Sequence, residues 1–181
     1  MAYSRSISIM HWATAVPAIG CVGTVLKSQS LPKDDPSKGT WMFIHKSLGT
    51  LTAILVLPRV GLRAVSMIGG MGPKPVPGPR WEQAAARISH LGLYGFITVM
   101  PLTGVAMGYY GGKGLPFFAG TIPGATGAEV DKKLAGQAYK VHKLVGEYGK
   151  FLIPLHAGAA LFHLARGQAV FSRVNPFRRP S

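Results

Sequence analysis

Six histidines carry most of the chemistry that this chain could perform: His11, His45, His90, His142, His156 and His163. Every one falls within, or at the end of, a long apolar stretch. Ionisable side chains are costly inside hydrocarbon and mark function by default. Imidazole is the commonest metal-ligating side chain and binds iron, zinc and copper through either ring nitrogen. The single Cys21 excludes a disulfide framework, a c-type haem attachment and an iron–sulfur cluster, each of which needs more than one thiol. Carboxylates are nearly absent from the apolar stretches, so a proton relay among these histidines would lack partners. Metal ligation is the chemistry that remains, and its geometry depends on the elements that carry the rings.

Those elements are helical and apolar. The 181 residues are too few for two ordinary enzyme domains, and 48% hydrophobic content against 14% charged residues is unusual for a soluble chain. Apolar stretches cover residues 6–26, 41–67, 88–110 and 141–165, and ~20 residues of helix cross a ~30 Å hydrocarbon core. The first lacks an Ala-x-Ala-like cleavage site and reads as a span rather than a signal peptide. The fourth begins with Lys143, Glu147 and Lys150, so its first turns should stand out of the hydrocarbon. Gly/Pro-rich connections at residues 31–39, 69–79 and 111–127 separate the stretches, with no strand pattern between them. The expected fold is all-α: one domain over residues 1–181, an integral membrane four-helix bundle.

Charge orients it. Arg5, Arg59, Arg63, Lys74, Arg80, Arg87, Arg166, Arg173, Arg178 and Arg179 gather, with Glu82, at the side of the termini and second loop. The remaining lysines and carboxylates lie opposite. All the arginines share the first side, which places the termini in the cytoplasm or an organelle matrix. The formal net charge of +14 is thus divided between two membrane faces rather than drawn into one stripe, which excludes a nucleic-acid surface.

Depth now pairs the histidines. His11 begins helix one near the inner face, and His45 begins helix two near the outer face. His142 and His156 are fourteen residues apart on the last stretch. At ~100° and ~1.5 Å per residue they share a face and stand ~21 Å apart along the axis. One matches the depth of His45 and the other the depth of His11. Two histidine pairs stacked across one membrane suit two b-type haems, each with axial ligands above and below the ring. Zinc, which wants three or four close ligands, suits them poorly.

Small residues stand one turn beyond each of these histidines, at Ala15, Gly49, Gly146 and Ala160. They could leave a face open to a flat macrocycle, or they could mediate ordinary helix packing. His163 lies about 20° off the stripe of His156 and competes with it for His11, or else meets a quinone or a propionate. His90 opens helix three on the inner side and is a further candidate. Arg59 and Arg63, one turn apart, could hold a propionate or simply anchor the inner end of helix two. Pro17, Pro58, Pro101 and Pro154 put one proline in each stretch.

With these pieces in order, the chain resembles the bacterial four-helix cytochrome b561 family, which includes superoxide:ubiquinone oxidoreductase and hydrogenase cytochrome b subunits. The resemblance rests on Ser8-Ile9-Met10-His11-Trp12, Ile44-His45-Lys46-Ser47-Leu48-Gly49, Ser89-His90-Leu91-Gly92-Leu93-Tyr94, Met100-Pro101-Leu102-Thr103-Gly104 and Leu115-Pro116-Phe117-Phe118. His142 and the run from Leu155 to His163 complete it. It implies one haem b held by His11 and His156, another held by His45 and His142, and ubiquinone meeting the inner haem near His163. In superoxide-oxidising members, superoxide would give its electron to the outer haem. The lysines at positions 27, 33, 38, 46, 140 and 143 suit an anion there. Leu93 and Leu164 stand where some bacterial members carry further histidines.

Two other roles compete with a free-standing electron carrier. One is a cytochrome b subunit docked to a partner enzyme, and the other is a structural subunit of a larger respiratory complex. Either implies lipid and other subunits as partners, in a bacterial cytoplasmic membrane or a mitochondrial inner membrane.

Overall fold

The computed structural model describes residues 5–69 and 76–177; Lys74, Arg178 and Arg179 of the charge pattern lie outside them. Three long helices come first: α1 (Arg5–Ser30), α2 (Ser37–Ile68) and α3 (Arg80–Tyr110). All three are long and apolar enough to cross a membrane, and each runs unbroken past its own proline (Pro17, Pro58 and Pro101). Asp35 opens α2, its Oδ1 accepting from the Ser37 amide at 2.8 Å and the Ser37 hydroxyl at 2.6 Å. Those two bonds hold its carboxyl below the usual carboxylate range.

The fourth apolar stretch is not one helix. It divides into α4 (Lys132–Gly149) and α5 (Leu152–Ala165). Pro154 has no N–H to offer the Lys150 carbonyl and its ring crowds that carbonyl, which ends regular bonding in the preceding turn. The Phe151 amide reaches instead to the Tyr148 carbonyl at 3.4 Å, a tighter i−3 contact. Lys150 and Phe151 keep helical dihedrals between the two helices. A short α6 (Val170–Arg173) follows.

The third connection also departs from an all-helical reading. Strands β1 (Leu115–Phe117) and β2 (Gly120–Ile122) form a small antiparallel ribbon packed on α2, and its Phe118 amide donates to Ser47 Oγ at 3.2 Å. A 3₁₀ turn at Gly127–Glu129 leads into α4, whose first amides are capped by Asp131 through a 2.8 Å bond from the Leu134 amide.

Two helical hairpins result, α1 with α2 and α3 with α4, joined mainly along α2 and α3. Their interior combines small hydroxyl residues with an apolar cluster of Val56, Phe96 and Ile97. Ser8, Thr14, Ser28 and Ser47 are fully buried, while Leu57, Val65, Ile88 and Leu91 face outward. Buried threonine hydroxyls are satisfied by their own helix, as in the 2.7 Å bond from Thr14 to the Met10 carbonyl and the 2.8 Å bond from Thr52 to the Leu48 carbonyl. Small interior residues let helices approach closely, and apolar exteriors suit lipid.

Candidate functional site

At the end of the molecule where α1 begins and α5 finishes, α1, α2, α3 and α5 converge. His11 from α1 and His156 from α5 face one another with ring centroids 6.5 Å apart and planes at 56°. His90 from α3 stands 5.4 Å from His156. Arg59 from α2 brings Nη2 within 3.4 Å of His11 Nδ1 and lays its guanidinium over the Tyr94 ring at 5.8 Å. One turn further, Arg63 has Nε and Nη1 buried and acts electrostatically on His90.

Nearer the opposite end, His45 from α2 and His142 from α4 face one another at 6.3 Å, with planes at 82°. Each is fixed through Nδ1. His45 Nδ1 donates to the Cys21 carbonyl at 2.9 Å, with Cys21 Sγ at 3.2 Å. His142 Nδ1 lies 3.0 Å from the Met100 carbonyl and 3.0 Å from Thr103 Oγ1. A ring nitrogen beside a carbonyl oxygen must carry the proton, which leaves Nε2 as the lone-pair nitrogen on both rings.

Each pair thus takes one ring from the α1–α2 hairpin and one from the α4–α5 stretch. Two imidazoles sharing one metal through bonds of about 2.0 Å, with ring centroids about 1.2 Å behind the nitrogens, would stand about 6.4 Å apart. The 6.5 and 6.3 Å separations fit a metal held between two imidazoles at each level. Both ring planes contain the metal–nitrogen axis in such a site, so either interplanar angle is allowed. Among the described residues, no three His, Cys, Asp or Glu side chains gather to hold an ion by themselves.

The other candidates are placed differently. His163, open by register as a partner for His11, donates from Nδ1 to Gln168 Oε1 at 2.5 Å, and Gln168 Nε2 donates to the Pro77 carbonyl at 3.1 Å. Beside it, Arg166 pairs with Glu82 at 2.6 Å. Two of the small residues one turn beyond the histidines face side chains of neighbouring helices. A Cβ on Gly49 would make ordinary contact with Cys21 Sγ at 3.7 Å, and one on Gly146 would crowd Met100 Cε at 3.1 Å. Spacing gave no signal for Thr103 or Cys21 as neighbours of His142 and His45, because each contact is made between helices. Only the Met100–Gly104 motif hinted at the first.

Apolar helices of membrane-crossing length, with imidazoles paired between them at two levels, define the class of an integral membrane protein with histidines placed to meet a metal. Residues 2–176 match the prokaryotic cytochrome b561 family, and the chain belongs to it. It is 29% identical over 163 residues to cytochrome b561 homolog 1 of Escherichia coli (strain K12), with 89% of each chain covered. It is 31% identical over 155 residues to the probable superoxide oxidase CybB of Yersinia pestis, covering 85% of this chain and 84% of that one. The family binds b-type haem and is a family of membrane electron carriers.

Proposed function

We propose that this chain is a single-domain, four-span membrane protein, residues 1–181, that carries electrons between the two faces of an energy-transducing membrane through two haems b. His11 and His156 would hold one haem, and His45 and His142 the other. The observation that carries this reading is the pair of interhelical imidazole separations, 6.5 and 6.3 Å, each matching a bis-imidazole metal site. Bound there, haem would supply a one-electron carrier at each level.

The protein's own groups would do the rest. The Nδ1 bonds of His45 and His142 hold each ring with Nε2 free to ligate. Arg59 and Arg63 place cationic, bidentate donors where a propionate could be met. His90 abuts His156, and His163, tied to Gln168, stands at the end where a quinone would approach. The arginine-rich end, with both termini, would face the cytoplasm or matrix. The name of the Yersinia relative brings superoxide as the donor, and the lysine-rich opposite face would draw that anion by steering.

The deciding experiment is a pyridine haemochrome assay on the purified membrane protein, with a reduced-minus-oxidised spectrum. Two haems b per chain are expected, falling to one in His45→Ala and to one in His156→Ala. A folded, detergent-extracted protein without haem would overturn the reading.

A further inference from the structure

His142 is held by two groups of α3, and their chemistry fixes where its proton sits. Thr103 Oγ1 lies 3.0 Å from His142 Nδ1, and also 2.7 Å from the Val99 carbonyl oxygen and 3.0 Å from the Met100 carbonyl oxygen. A hydroxyl has one proton to give, and carbonyl oxygens only accept. The hydroxyl proton therefore goes back to the carbonyls of its own helix, and a lone pair is left facing His142. The Met100 carbonyl, 3.0 Å from the same Nδ1, is a second acceptor. A hydroxyl donating to Nδ1 would instead set that nitrogen's lone pair against the Met100 oxygen. The ring also lies against Gly104, where a Cβ would come 3.6 Å from His142 Cε1, so Thr103 and Gly104 together set its orientation.

We propose that Thr103 is a positioning residue for His142, its hydroxyl holding the tautomer with Nε2 free and strengthening the ring as an electron donor to the metal it ligates. The inference rests on His45 and His142 being a ligand pair. A hydrogen bond from Nδ1–H raises ligand basicity, and a more basic axial ligand favours the oxidised metal. The effect is confined to one level. His45 is served by a backbone carbonyl that no substitution removes, and His11 and His156 lie at the other level.

The test is a redox titration of the purified holoprotein, with low-spin EPR of the oxidised haems, in Thr103→Val, Thr103→Ser and His142→Ala. Thr103→Val keeps the shape and removes the hydroxyl. It should shift the midpoint potential of one haem upward and change that haem's EPR signal, leaving the other haem alone, while Thr103→Ser should restore both. Loss of one haem in Thr103→Val but not in Thr103→Ser would equally support a hydroxyl role. Thr52→Val removes a buried hydroxyl bonded only to its own helix and should leave both potentials in place. If Thr103→Val does not accumulate, Thr103→Ala against Thr103→Ser gives the same comparison. Unchanged potentials and EPR signals in Thr103→Val, or equal changes in Val and Ser, would overturn the inference while His142→Ala still loses one haem. A His142→Ala protein that keeps both haems would overturn the ligand reading beneath it.

Discussion

At 5.4 Å, the His90 ring stands closer to His156 than His11 does at 6.5 Å. The shorter distance is that of rings in edge contact, and the longer one leaves room for a metal between two nitrogens. His11→Ala should therefore lose one haem, whereas His90→Ala should keep both with at most a shifted spectrum, as read by pyridine haemochrome. Arg59 supplies a positive charge beside His11, and a positive charge favours the reduced metal. Arg59→Gln should lower the midpoint potential of one haem by on the order of tens of millivolts, measured by redox titration. The histidines themselves were legible in the sequence, because six imidazoles in apolar stretches need a reason. The contacts of Thr103 and Cys21 were not, because each partner is brought in by a different helix.

Among the elements, the break after Gly149 distinguishes the last stretch from the other three. All four stretches hold a proline, yet only Pro154 ends regular helix. The chain before it is weak in helix propensity, with Gly146 and Gly149 close together, and the Phe96 ring of α3 occupies the space that a Gly149 side chain would need. Gly149→Leu should force Phe96 aside and cost about 1–3 kcal/mol, read from thermal unfolding in detergent. Hydropathy could not show this, since it registers apolar length and not the fit of one helix against another. The ribbon of β1 and β2 escaped notice for a related reason. Pro116 argues against a strand, and pairing becomes possible only because Gly114 adopts φ +70°, where a Cβ would meet the Ile122 carbonyl oxygen at 2.5 Å. Gly114→Ala should disorder the ribbon and destabilise the protein by about 1 kcal/mol or more.

For the whole molecule, one end is closed by contacts distant in sequence. Trp12 Nε1 donates to the Val174 carbonyl at 2.9 Å, Gln168 reaches the Pro77 carbonyl, and Arg166 pairs with Glu82. The segment after α5 is thereby drawn against both the start of α1 and the connection into α3. Glu82 is largely buried in that pair, so Glu82→Gln should loosen the segment and speed limited proteolysis between residues 166 and 177, with haem content unchanged. An even number of passages predicts that tags on the two termini are reached from the same side of sealed vesicles. Tags protected on opposite sides would remove one span from the proposed topology.

Composition and period were enough to indicate helices in a membrane, the ends at which the charges collect and the histidines worth testing. Hydrocarbon punishes polar groups wherever they fall, so these features are written in the order of residue types along the chain. Tertiary structure decided which ring faces which: His156 rather than His163 opposite His11, His90 pressed against the pair, and a threonine from α3 behind His142. Those outcomes depend on how two hairpins are rotated and tilted against each other, and a helical period fixes the face of one helix without fixing the neighbour it meets.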